Sequence, residues 1–217
     1  MAEAVSRTEL WAMIHAERAA LAEDLAALSD EQWRQQSLCG LWVVEEVVAH
    51  LTAAASIGTV RWVRSIVGAR FDADRHNRRR LAEQRGRDPE ETLQRFRAVI
   101  TSTTAASGHT PAWLGEVVVH AQDIRRPLGI ERTPALTAVG AVAAFYAGRD
   151  FAVASRSAIK GLRLEATDGS FQAGTGSLVR GSTLALIMAM AGRAPYCDDL
   201  VGDGVPILRE RCSPAAT

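Results

Sequence analysis

The chain has 217 residues, 47% hydrophobic and 23% charged, ordinary for one generous domain or two small ones around a buried core. Its 25 Lys and Arg balance 25 Asp and Glu, and this zero net charge argues against general nucleic-acid binding, which needs excess cations to displace counterions from phosphate. Cys39, Cys197 and Cys212 are odd in number and lack C-x-x-C spacing, which argues against a secreted disulfide framework and for a reducing cytoplasm.

Leu10, Ile14, Leu21, Leu25 and Leu28 recur at helical spacing and predict an amphipathic helix over residues 5–28, with no signal-peptide core. Ser29 and Gln32 have the pattern of a capping box for a short turn around Trp33. A second long helix is expected over 43–67, with Val43, Val47, His50, Leu51 and Ala54 on one face. Residues 72–86 are arginine-rich and expected to be exposed. Asp88-Pro89-Glu90-Glu91 reads as a helix start, with Pro at the first position and acids at the positive dipole end. That third helix should carry Leu93, Phe96 and Ile100 inward. Thr110-Pro111 opens a fourth, which ends near Arg125-Arg126-Pro127 with Gly129 beyond. Four such helices suggest an up-and-down four-helix bundle over residues 1–132.

After Pro134 the texture changes, and residues 133–217 read as a smaller α/β (α+β) domain. Residues 135–154 suggest one more helix. Residues 162–166 and 171–173 form a hairpin pattern around Asp168-Gly169. Ser177 to Val179 suggests another strand, Thr183 to Ala191 a helix, and Pro206 to Leu208 a last short strand. The apolar run Leu184 to Gly192 is too short to span a bilayer. Gly174-Thr175-Gly176-Ser177 resembles a phosphate loop only superficially, lacking the Lys-Ser or Lys-Thr pair, and reads as a tight strand connection.

The chemistry centres on the fourth helix. Glu116 and His120 are four residues apart, so they lie one above the other and can converge on one point. A carboxylate and an imidazole form a partial ligand set for a borderline metal such as zinc. His50, on the apolar stripe of the second helix, is the best third ligand. Three protein ligands leave one position open, as in a catalytic site. Spacing alone also fits a hydrogen-bonded core histidine and a surface Glu–His coincidence. Asp123 either orients the His120 ring through its other nitrogen or is a solvated charge. His15, His76 and His109 are expected to face solvent, and Cys39 is either a reactive thiol near a helix start or a packed one.

Trp42-Val43-Val44-Glu45-Glu46-Val47-Val48-Ala49-His50-Leu51 resembles the W-x-V-x-D-V-x-A-H-L motif of mycothiol-dependent maleylpyruvate isomerases. The run Gly115 to Asp123, followed by Leu128-Gly129, resembles that family's E-x-x-x-H-x-x-D…L-G block. Val179-Arg180-Gly181, Leu184 and Gly192-Arg193 are more weakly similar to its second domain. The resemblance implies a mainly α protein: a DinB-like four-helix bundle carrying Zn2+ or a similar divalent metal, then a small α/β domain. It implies His50, Glu116 and His120 as metal ligands and mycothiol as cosubstrate.

The implied chemistry is isomerisation, or S-transfer of the thiol to a small electrophile such as an unsaturated acid. In isomerisation, thiolate addition makes the double bond single, rotation follows, and elimination regenerates the thiol. A cation would steady the substrate carboxylate, with Arg193 as candidate and Arg180 as rival. The expected partners are small molecules, with neither nucleic acid nor membrane, for a monomer or homodimer. Two departures stand out. Val43 replaces a capping Ser or Thr, and Trp113 stands where relatives often carry Arg. The rival readings are a non-catalytic metal-binding sensor and a small-ligand binding protein of the same fold.

Overall fold

The computed structural model describes residues 5–40, 42–68 and 72–212, without the side chains of 61, 62, 65, 66, 68 and 73–78. The chain is mainly helical with one small three-stranded sheet. It divides into two compact units, Met1–Arg132 and Thr133–Thr217.

In the first unit, α1 (Arg7–Ala26) starts at a capping box in which the Ser6 hydroxyl accepts from Glu9 N and the Glu9 carboxylate accepts from Ser6 N. It buries Leu10, Ile14, Leu21 and Leu25. The expected Ser29–Gln32 box begins α2 (Asp30–Trp33). The single helix expected over 43–67 is two helices, α3 (Val44–Ser56) and α4 (Thr59–Gly68). Ile57 turns extended at φ −113° and ψ 118°, and Gly58 follows it, both poor helix formers beside Ala or Leu. The arginine-rich stretch forms helix α5 (Ala73–Gln84), which packs on α3 and buries Leu81 while Arg79, Ala82 and Glu83 stay exposed.

α6 (Pro89–Arg97) begins at Asp88, whose carboxylate accepts from Glu91 N, and buries Leu93 and Phe96, while Ile100 lies half-buried beyond its end. α7 (Thr110–Leu128) ends at Gly129, which supplies the left-handed φ of 66°. α1 packs on α6 and α7, and α3 packs on the same two helices, so α3 and α7 face each other across the core.

In the second unit, α8 (Leu136–Gly148) stops short of the expected residue 154, and α9 (Ser155–Ala158) is a separate turn. Asp150 sets that turn by accepting from both N and Oγ of Ser157. β1 (Leu162–Ala166) pairs antiparallel with β2 (Gln172–Gly174) and parallel with β3 (Ser177–Gly181), in the order β2-β1-β3. The chain therefore hops across the start of β1 through residues 174–176. A Cβ on Gly174 or Gly176 would strike the Leu162 or Gly161 carbonyl, which is why the connection is glycine-rich.

α10 (Thr183–Met190) is apolar all round because β1, β3, α8 and α11 surround it. A 3-10 segment (Ala194–Asp199) leads to α11 (Val205–Cys212). α11 corrects the short strand expected at 206–208. Only Leu208 of its core is buried, and the turn through Gly202 and Gly204 launches a helix rather than a sheet partner.

Candidate metal centre

α7 turns Leu114, Val117, Val118, Ala121 and Ile124 into the core, which leaves Glu116 and His120 stacked on the face toward α3. α3 anchors itself with buried Val44, Val47, Val48 and Leu51, and His50 emerges beside them. The helix start that lacks a Ser or Thr cap is satisfied otherwise: the Val43 N–H donates to the Glu46 carboxylate, 3.0 Å away. Just before it, the loop is tied down from both sides. Leu38 N donates to the Asp123 carbonyl of α7, and Ser37 N to the Trp42 carbonyl, each at 3.0 Å.

These elements bring all three expected side chains together. His50 Nε2 lies 2.7 Å from Glu116 Oε1, and His120 Nε2 lies 3.7 Å from the same oxygen. The two imidazole rings stand edge to face at 5.1 Å. Trp42 flanks the His50 ring at 4.9 Å. Asp123 is fully buried and accepts from His120 Nδ1 at 2.9 Å, so it orients the ring and leaves Nε2 for a ligand.

Burial alone would pull the His120 imidazolium pKa down. The hydrogen bonds to Asp123 and Cys39 and the Glu116 charge outweigh it, and the ring is raised to about 10. Cys39 at His120 is the feature that sequence reasoning left undecided, since no spacing links the loop to α7. Among the described residues, the donor groups that can share an ion are His50, Glu116 and His120, and Cys39, His120 and Asp123.

The first group fits a small divalent ion. Ligand atoms at the corners of a zinc tetrahedron sit about 3.4 Å apart, so the 3.7 Å edge already matches and the 2.7 Å pair need only open slightly. His50 and Glu116 keep 14% and 22% of their side-chain surface exposed, so the cluster is not sealed from solvent.

The remaining expected residues lie elsewhere. His109 is exposed, and His15 is half-buried beside Trp11 rather than solvent-facing. His76 lies outside the described side chains. Trp113 is half-buried and donates from Nε1 to the Ser107 carbonyl. Arg193 and Arg180 belong to the second unit. Arg193 is half-buried, with Nη1 donating to the Ala191 carbonyl, and Arg180 is exposed on β3.

The family model for the mycothiol maleylpyruvate isomerase N-terminal domain matches residues 14–125, more than half of the chain. The chain belongs to that family. The matched span runs from α1 through His120 and Asp123, so it contains every donor of the cluster. Two solved structures are similar over 92% of this chain and 93% of theirs, at 15% identity. They are crystal structures of the mycothiol-dependent maleylpyruvate isomerase, TM-score 0.63, and of a histidine-to-alanine mutant of it, TM-score 0.64. At that identity they establish the shared fold of this family member. No curated protein matches the sequence. Among the described residues, no helix is long and apolar enough to cross a membrane.

Proposed function

We propose that the chain is a metal-dependent enzyme that uses mycothiol, or a similar small thiol, to isomerise a small unsaturated acid or to transfer the thiol to a related electrophile. The observation that carries this reading is the convergence of His50 Nε2, Glu116 Oε1 and His120 Nε2 in a cluster still open to solvent. Family membership supports it. His50, Glu116 and His120 would hold the ion, zinc by the chemistry of the donors. A bound ion of this kind lowers the pKa of a thiol beside it and keeps it as the nucleophilic thiolate.

The protein's own groups prepare that event. Asp123 accepts the Nδ1 proton of His120, which directs the Nε2 lone pair into the cluster. Trp42 walls the His50 ring, holding its plane. The exposed edges of His50 and Glu116 leave the approach through which a small thiol can enter. We assign the metal to the first unit, residues 1–132, followed by a small α/β domain over residues 133–217. Arg193 is the candidate cation for the electrophile's carboxylate. The site of action is the cytoplasm, where a small-thiol pool stays reduced.

Cys39 favours a second reading. Its thiol shares His120 in a separate donor group with Asp123, and an ion drawn to that group, away from His50 and Glu116, would leave a non-catalytic sensor. Metal analysis of the purified protein with a mycothiol titration, with and without a chelator, decides between them. The enzyme reading expects about one ion per chain, its loss in His120→Ala, and thiol binding that vanishes with the metal. Stoichiometric metal in His120→Ala, or thiol binding indifferent to the chelator, overturns it. Metal that is retained but never binds thiol favours the sensor.

A further inference from the structure

The other two cysteines, 15 residues apart, meet in the second unit. Cys197, in the 3-10 segment, and Cys212, at the end of α11, place their sulfurs 4.0 Å apart, and both are free thiols. Cys197 is buried, whereas Cys212 is half-exposed. The two segments are held against each other by more than this pair. Arg209 of α11 donates to the Asp198 carboxylate at 2.6 Å and to the Ala194 carbonyl at 3.4 Å, and both α11 and the 3-10 segment pack on α10. The Cys212 thiol also lies 3.2 Å from the Ala189 carbonyl, to which it can donate. The pair is therefore positioned by surrounding structure, not by a flexible loop.

We propose that Cys197 and Cys212 form a thiol–disulfide exchange site that reacts with low-molecular-weight disulfides and closes into an internal disulfide. The sulfurs must approach from 4.0 Å to about 2.05 Å to close the bond. Cys212, the accessible partner, attacks one sulfur of the small disulfide. Its S–S bond breaks, a mixed disulfide forms on Cys212, and one small thiol departs carrying the Cys212 proton. Cys197 then attacks the Cys212 sulfur, the protein S–S bond forms, and the second small thiol leaves with the Cys197 proton. The protein pair is oxidised by two electrons and the small disulfide is reduced to two thiols, so no further reactant is needed.

The surroundings favour negative charge on one sulfur of the pair, Cys197, while the contact with Cys197 and then burial push the Cys212 thiol up, so Cys212 gives up its proton only as the small thiol leaves. The Cys212 hydrogen bond above all, and then the Arg209 guanidinium, hold the Cys197 thiol below its usual range against the effect of burial. The site is independent of the metal-centre reading, since none of its atoms belongs to that cluster.

The test treats full-length protein with bis(2-hydroxyethyl) disulfide, alkylates what remains, and maps non-reduced tryptic peptides by mass. The expected product is a peptide pair joining Cys197 to Cys212, lighter by two hydrogens and reopened by excess small thiol. Cys197→Ala should trap a stable mixed disulfide on Cys212. Should that variant fail to fold, Cys212→Ser serves, and its Cys197 should form no internal link. A chelator should leave the exchange unchanged, which separates its failure from failure of the metal centre. Wild-type protein in which both cysteines stay alkylatable, carry only separate adducts, or link instead to Cys39 overturns the proposal.

Discussion

His120 keeps its proton in spite of burial, because Asp123, Cys39 and Glu116 surround the ring. A metal needs the neutral imidazole, so uptake must displace that proton. Apparent metal affinity is therefore expected to rise with pH until the medium reaches about 10, and competition against a chromogenic zinc chelator across pH measures it. A flat profile would contradict the assignment of His120 as ligand. In the metal-free protein the sign runs the other way. The folded pKa is raised from 6.5 to about 10, so the stabilisation is fully present below 6.5 and disappears as pH climbs through 10, which urea midpoints at several pH values would register. Asp123→Asn keeps the shape and removes the charge behind the ring. It should weaken metal binding roughly 10- to 100-fold while leaving helical circular dichroism intact.

Among the elements, α3 shows how a helix start is completed without the usual residue. The Glu46 carboxylate accepts from Val43 N, and Glu46 N donates to the Val43 carbonyl in place of the missing hydroxyl, so Glu46→Ala should cost about 1 kcal/mol in chemical denaturation. Its neighbour Glu45 is buried, accepting from Arg85 at 2.6 Å and from Thr92 at 3.0 Å, which pins the helix that carries His50. The turn after α6 is tied to α1 by Arg18, whose buried guanidinium donates to the carbonyls of Val99, Ile100 and Ser102. Helix starts at Ser29 and Asp88 were legible in the sequence because a cap is a local hydrogen bond between residues three apart. The break at Ile57 and the helical state of α5 were not. Each depends on whether a stretch finds a partner surface, and α5 finds α3.

Across the first unit as a whole, a buried polar tie joins its first helix to its last. Arg125 of α7 is fully buried and donates to Asp24 of α1 at 2.8 Å, and Arg132 holds the other Asp24 oxygen at 2.9 Å. Removing the carboxylate strands a buried guanidinium, so Asp24→Ala is expected to destabilise by about 3–5 kcal/mol, read as a fall in the urea midpoint. A loss below 1 kcal/mol would mean that water already solvates Arg125. The sequence by itself determined the helical character, the family, and the stacking of Glu116 over His120, because periodicity and spacing within one element are local properties of the chain. Only the tertiary structure decided that His50 reaches Glu116 from another helix, that Cys39 sits at His120, and that Cys197 meets Cys212. Those distances follow from how buried apolar faces pack and from bonds such as Leu38 N to the Asp123 carbonyl, which no short stretch of sequence encodes.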